Sequence, residues 1–306
     1  MKKAFTLVEL LVVIGILAIL MGVLAATIGN GTESARAARC LTNMRNLATA
    51  CNTVAAARGH YPLAGSAEVK KINLGGGSSG NKRTYEESKG WISWDSRGSY
   101  AGGRSTSHVS SLSWFTSAYC DDVETRRFAL TNGVVWSAVS GNADVYVCPS
   151  HRKALRHKNP LWSYVMNERF GYDDTLGSDG KMSWPGVWYG QLKRADRTLM
   201  FAELQFAAND KLEINTDSSA GIKNDCTLQY KHKETLGCNH ASGKRGLCAH
   251  VAFADGHVEK LAIPARRNKD SWSLLVGRGD IEDLTEWLCQ GKDVSYNGSK
   301  YETLQD

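Results

Sequence analysis

The chain has 306 residues, 42% apolar and 22% charged, with nine tryptophans and a formal charge of +6. This composition excludes a disordered or low-complexity chain, and its mild basic excess makes no strong case for nucleic acid. Eight cysteines, an even number, point to two or three disulfides in the globular part if the chain is exported.

Residues 1 to 28 read MKKAFTLVELLVVIGILAILMGVLAATI, in which two lysines precede an apolar run whose one charge is Glu9. From Leu10 to Ile28 there are 19 uncharged residues. As a helix they extend roughly 28 Å, close to the roughly 30 Å hydrocarbon core of a bilayer. A carboxylate at the head of such a run costs on the order of 2.5 to 3.5 kcal/mol in hydrocarbon, so Glu9 calls for a partner or for the headgroup level. A cleaved secretory signal fits poorly, because the run is too long and contains Glu9. A lipoprotein site at Cys40 fails on Arg39.

The stretch Lys2-Lys3-Ala4-Phe5-Thr6-Leu7-Val8-Glu9-Leu10-Leu11 closely resembles the N-terminus of type IV prepilins and of the pseudopilins of type II secretion. The resemblance implies a four-residue leader (1–4) and cleavage between Ala4 and Phe5 by a membrane prepilin peptidase, which methylates the new Phe5 amine. It implies a membrane and assembly helix over 5–28. Glu9, fifth in the mature chain, would meet the N-terminal amine of a neighbouring pilin or pseudopilin subunit. The family usually has Gly where this chain has Ala4, the smallest possible change, and processing is expected to survive it. Loss of the leader removes Lys2 and Lys3 and two positive charges.

Beyond Gly29-Asn30-Gly31, which are expected to bend or loosen the helix, Ala38, Leu41, Met44, Leu47 or Ala48, Cys51 and Val54 or Ala55 recur at three and four. An amphipathic helix over 29–58 is predicted, its apolar stripe on a sheet and Arg36, Arg39 and Arg45 mostly on other faces. A solvated basic face explains those arginines as well as DNA binding does. Cys40 and Cys51 share the stripe but lie about 16 Å apart along it, beyond disulfide reach. Gly59 and Pro62 end the helix near Arg58, and Gly59-His60-Tyr61-Pro62 resembles the turn after the long helix in many pseudopilins.

The head spans 59–306. Residues 64–90, with Gly75-Gly76-Gly77-Ser78-Ser79-Gly80, read as an exposed loop that lacks phosphate-loop spacing. Trp91-Ile92-Ser93-Trp94 alternates as a strand would, its aromatics filling a core. Residues 105–140 hold short helical patterns, the first with Leu112, Trp114, Phe115 and Tyr119. Strands are predicted at Val145–Ser150, Ser163–Asn167 and Thr198–Glu203, and a hairpin with an Asp255-Gly256 turn joins His250–Phe253 to His257–Leu261. Asp280 caps a helix carrying Ile281, Leu284, Trp287 and Leu288, ended by Gly291, with Cys289 placed to staple it to the domain. The polar tail from Ser295 is expected to fray.

Cys148-Pro149-Ser150, Ser163-Tyr164-Val165-Met166-Asn167, Phe201-Ala202-Glu203, His240 and Asp255-Gly256 resemble a branch of the prepilin family. Its members carry a C-P-S turn, an S-Y-x-M-N strand, a strand ending F-A-E and an H-x(9)-D-G signature. Here 14 residues separate His240 from Asp255, an insertion of about five. The structural reading of His240, Asp255 and Gly256 is a turn signature with His240 hydrogen-bonded near the turn. A metal set of His240, His250, Asp255 and His257 is the weaker alternative, so no cofactor is implied beyond a candidate structural metal ion. No G-x-S-x-G or paired-carboxylate pattern points to an enzyme.

The expected fold is α+β and pilin-like, a long N-terminal helix packed on an antiparallel sheet enlarged by insertions. The expected function is a pseudopilin or minor pilin-like structural subunit of a short periplasmic or surface fibre for protein secretion or adhesion. The expected localisation is the bacterial inner membrane, single-pass, with an exported head. The rival is a membrane-anchored ligand- or metal-binding protein that uses the helix only as a tether.

Overall fold

The structure is a computed structural model that describes residues 7–66, 90–92, 130–154, 162–173, 186–204, 212–214, 226–228, 230, 235–242, 246–263, 265–267, 274–276, 278–296 and 301–303. Helix α1 runs from Leu7 to Arg58. The Gly29-Asn30-Gly31 stretch does not interrupt it, because flanking turns of good helix formers offset two glycines at about 1 kcal/mol each. From Leu7 to Met21 its apolar side chains are exposed, Leu7 by 79% and Leu17 by 47%. From Cys40 onward one face is buried: Cys40, Asn43, Met44, Leu47, Ala48, Cys51, Val54 and Ala55. Arg39 and Arg45 stay outside, as expected, whereas Ala38 lies off the stripe and is exposed. Gly59 ends the helix with φ of 79° and its N–H on Ala55 O at 2.8 Å, a left-handed cap that glycine adopts without strain. Tyr61 then packs edge-on against Phe170 at 5.2 Å.

The main sheet is mixed, which corrects the expectation of an antiparallel one. Short strands β1 (Gly65–Ser66) and β3 (Tyr172–Asp173) pair in parallel outside it. Within it β2 (Tyr164–Asn167) lies antiparallel to β4 (Leu199–Glu203) and parallel to β6 (Thr227–Leu228). Strand β8 (Gly246–Phe253) pairs antiparallel with β4, β7 (His240–Ser242) and β9 (Val258–Ile263). Because β9 covers one edge of β8 along most of its length, β7 and β4 share the other. They meet β8 at residues 246–248 and 251–253 respectively, and His250 falls between them. Strands β2 and β4 are buried at every position, as expected for strands covered on both faces. Away from this sheet β5 (Leu212–Ile214), β10 (Ala265–Arg267) and β11 (Leu274–Val276) form a three-stranded sheet.

Several local expectations change. Val145–Ser150 is not a strand: Ala143–Tyr146 is a 3-10 turn whose cap Asn142 accepts the Asp144 N–H. Pro149 then opens helix α2 (Pro149–Ala154), at a position where a missing N–H costs nothing. Trp91 is buried as predicted, and Ile92 with it, but in a bend after the Leu63–Gly90 bridge; Ser93 and Trp94 lie outside the described residues. So do 67–89, most of the predicted exposed loop, and the helical patterns as far as residue 129.

The β8–β9 hairpin forms where expected with a longer turn. Phe253 N donates to His257 O at 2.9 Å, enclosing Ala254, Asp255 and Gly256, and Gly256 has φ of 95°. That is the three-residue loop whose last position favours glycine. Helix α3 (Arg278–Gln290) begins two residues before Asp280 and ends at Gly291, with φ of 74°. Ile281, Leu284 and Leu288 are buried and Trp287 is half-buried. The tail does not simply fray: β12 (Val294–Tyr296) and β13 (Tyr301–Thr303) pair antiparallel.

The expected disulfides do not form among the described residues. None of Cys40, Cys51, Cys148, Cys226, Cys238, Cys248 and Cys289 forms a disulfide, and all are buried. Cys51 packs as a small apolar side chain in the core, whereas Cys40 and Cys148 meet polar groups. Cys289 holds α3 to the sheet through its carbonyl, which accepts Asn167 Nδ2 at 3.1 Å and Arg169 Nη1 at 3.3 Å.

Candidate functional site

Four elements converge on Glu203, the last residue of β4, which is wholly buried. Its Oε1 accepts Cys40 Sγ of α1 at 2.8 Å and lies 2.8 Å from His240 Nε2 of β7. Its Oε2 lies 3.4 Å from the His250 N–H, filling the break between β7 and β4 along the edge of β8. The strand ends here because Gly237 passes against it. A Cβ on Gly237 would sit 2.7 Å from Glu203 O and Leu204 C, leaving room for glycine alone.

Cys148 enters from the other side. Asn43 of α1 donates to Asp144 O and Val147 O, both at 3.1 Å, and so anchors the 3-10 turn that delivers Cys148 Sγ to 3.5 Å from His240 Nε2. Ser150, two residues on, donates to Glu33 Oε1 of α1 at 2.6 Å, and Arg36 holds the other oxygen at 3.1 Å. Glu33 Oε1 in turn lies 3.4 Å from His240 Nδ1, within ion-pair reach but without a hydrogen bond. Tyr164 of β2 donates its hydroxyl to Cys40 Sγ at 3.4 Å, and Ser163 Oγ meets His151 Nδ1 at 2.8 Å.

One ligand atom from each of Cys40, Cys148, Glu203 and His240 lies within 4.8 Å of the others, and all four side chains are buried. His250 stacks on His240 with ring centroids 4.1 Å apart, its Nδ1 3.9 Å from Glu203 Oε1 and without a hydrogen bond.

The electrostatics follow from packing these groups without water. Burial pushes the Glu203 carboxyl up, but the charge and hydrogen bond of His240, with His250 and Cys40, outweigh it and hold the group below its ordinary value. For His240 burial works downward and the adjoining Glu203 carboxylate prevails, raising it to about 10. His250 goes the other way, to about 4, driven by burial against the pull of Glu203. Cys40 is raised well above the usual thiol range by burial, the Cys148 contact and the Glu203 charge. Burial also opposes ionisation of Cys148, but hydrogen bonds from Cys40 and His240 bring it below the ordinary thiol value.

The residues singled out in the sequence are distributed differently. Ala4 and Phe5 lie outside the described residues, and Glu9 is in the first turn of α1. His240 is not beside the Asp255 turn. It sits opposite Cys248, roughly 20 Å of strand from Asp255. Asp255 Oδ1 instead takes the His257 N–H at 3.0 Å and meets its ring Nδ1 at 2.6 Å on the surface. The candidate metal set therefore divides, His240 and His250 inside and Asp255 and His257 outside. No local spacing marks Cys40, Cys148 and Glu203 as donors, although C-P-S and F-A-E stand out as segments. They meet through contacts that span 163 residues of chain for Cys40–Glu203, 92 for Cys148–His240 and 37 for Glu203–His240.

No curated protein and no solved structure matches the chain. Residues 1–25 match the family described as Prokaryotic N-terminal methylation motif. That match covers the N-terminus alone, which is similar to that of type IV prepilin-like proteins and runs directly into α1.

Proposed function

We propose that the chain is a pseudopilin or minor pilin-like structural subunit. It is cut between Ala4 and Phe5 by a prepilin peptidase, methylated at Phe5, and assembled with other subunits into a short periplasmic or surface fibre for secretion or adhesion. The observation that carries this reading is the methylation-motif match over 1–25, continued by a helix whose apolar side chains from Leu7 to Met21 are exposed. Such a surface needs lipid or other helices to cover it. Among the described residues no helix is long and apolar enough to cross a membrane. The membrane reading therefore rests on the sequence over 5–28, and it places the protein in the bacterial inner membrane with its head exported. Glu9 supplies the charge that a neighbouring Phe5 amine matches on assembly, because a lone carboxylate in lipid is costly and a paired one less so.

The head acts by display and support. Among the described residues the group of metal-type donors Cys40, Cys148, Glu203 and His240 is at most 1% exposed, which suits a structural role for it better than a substrate-binding one. Mass spectrometry of the N-terminal peptide from native membranes tests the processing step. A peptide beginning at N-methyl-Phe5, lost on Ala4→Glu substitution, is the expected result. An intact Met1-Lys2-Lys3 leader throughout the membrane-bound protein overturns it and favours the plain tether.

A further inference from the structure

We propose that Cys40, Cys148, Glu203 and His240 form a structural zinc site that fastens the long helix α1 to the head. The four ligands come from α1, the residue before α2, the end of β4 and the start of β7. An ion there ties together segments that no local sequence holds.

The donor set selects the metal class. Two thiols and an imidazole exclude hard cations such as calcium and magnesium, while a four-coordinate sulfur, nitrogen and oxygen set suits zinc. The spacing is close to that of a metal centre. A tetrahedron with bonds of about 2.0 to 2.3 Å has edges of roughly 3.3 to 3.8 Å. Cys148 Sγ to His240 Nε2, at 3.5 Å, falls within that range. Cys40 Sγ and His240 Nε2 each lie 2.8 Å from Glu203 Oε1, at hydrogen-bond distance, so an ion entering there must push the carboxylate out by roughly half an ångström. No pair of the four exceeds 4.8 Å.

Two further observations bear on a cation. Glu203 is a wholly buried carboxylate whose charge is met, among the described residues, by the imidazoles His240 and His250 and by no lysine or arginine, so a metal ion at Glu203 would take the place of the His240 Nε2 proton. The second is a carboxylate on the far side of His240. Nε2 faces the cluster while Nδ1 lies 3.4 Å from Glu33 Oε1, at ion-pair distance without a hydrogen bond, and Ser150 and Arg36 hold that carboxylate. A carboxylate so placed accepts the Nδ1–H after a small turn of the ring, and one that does so orients a ligating histidine and raises its basicity. Tyr164 donates to Cys40 Sγ, as hydrogen-bond donors commonly do to ligating sulfur. On binding, the two thiol protons, and any proton on His240 Nε2, pass to solvent while zinc takes their places.

The test uses the full-length protein purified in detergent under reducing conditions without chelator. Expected are about one zinc per chain by elemental analysis and, after exchange for cobalt, a thiolate-to-cobalt charge-transfer band with the intense visible bands of a tetrahedral ion. Cys148→Ser and His240→Gln should abolish both signals. Cys51→Ser, a buried cysteine outside the cluster, should keep them, and Glu33→Gln should weaken zinc binding by roughly tenfold. Where a ligand substitution unfolds the head, the unmodified protein decides. Negligible zinc after reconstitution, another metal in its place, cobalt bound without a thiolate band, or a Cys40–Cys148 disulfide recovered from native membranes overturns the proposal. None of these readouts depends on leader cleavage, so failure here leaves the subunit assignment standing, and the reverse holds too.

Discussion

His151 in α2 shows how one buried side chain makes the fold sensitive to pH. It is wholly buried with Nδ1 2.8 Å from Ser163 Oγ. Burial, against an upward pull from Glu203, pushes it down to about 3 from an ordinary 6.5. Between those values the unfolded chain binds more protons than the folded one. The contribution of His151 is therefore fully present above about pH 6.5 and is lost as pH falls towards 3. At pH 5 the loss amounts to about 2 kcal/mol. Urea unfolding from pH 7.5 to 5 should show a shallower decline for His151→Gln than for the unmodified protein, and identical slopes would refute the assignment. The sequence marks His151 only as the residue after C-P-S. Its neutrality is set by burial in the assembled core, where its ring partner Ser163 is twelve positions away in the chain.

At the scale of elements, Asn167 at the end of β2 joins three of them. Its Nδ2 donates to Leu199 O at the start of β4 at 2.8 Å and to Cys289 O at the end of α3 at 3.1 Å, while Oδ1 accepts the Arg169 N–H at 3.1 Å. Removing that side chain takes the amide donor from Leu199 O and from Cys289 O, of which Cys289 O keeps Arg169 Nη1; a buried carbonyl left without a donor costs about 1 to 3 kcal/mol when no water replaces it. Asn167→Ala should lower the stability of the head by about 1 to 3 kcal/mol in equilibrium unfolding. A change under about 0.5 kcal/mol would show that water substitutes for the amide. By contrast the exposed Arg194–Asp293 pair, at 2.9 Å, adds little, as is usual for ion pairs in water. The S-Y-x-M-N segment was legible as a strand because its residues favour extended backbone. The purpose of its last residue was not, since both acceptors are distant in sequence.

For the whole molecule, α1 is two helices in one. The half from Leu7 to Met21 has its apolar side chains exposed, and the half from Cys40 to Ala55 is a wall of the core. A chain beginning at Asn30 should therefore fold as the full chain does and stay in solution without detergent. Its thermal midpoint, followed by circular dichroism, should lie within a few degrees of the full-length protein, because little buried surface is lost. Aggregation or loss of the cooperative transition would mean that the first half contributes to the head after all.

What the sequence determined alone is what depends on near neighbours. The apolar run and Glu9, the three-and-four stripe of α1, the stop at Gly59, the β8–β9 hairpin and α3 all follow from periodicity and from glycine at left-handed positions. What only the tertiary structure decided is pairing across distance: the mixed order of the sheet, the 3-10 turn in place of a strand before Cys148, the absence of disulfides among the described cysteines, and the tail hairpin. The cluster around Glu203 belongs to this second group. Cys40, Cys148, Glu203 and His240 are spread over two hundred residues, and they meet because α1, α2, β4 and β7 pack on one core. The free energy that brings them together is the burial of their apolar neighbours, which carries no local signature at the donors themselves.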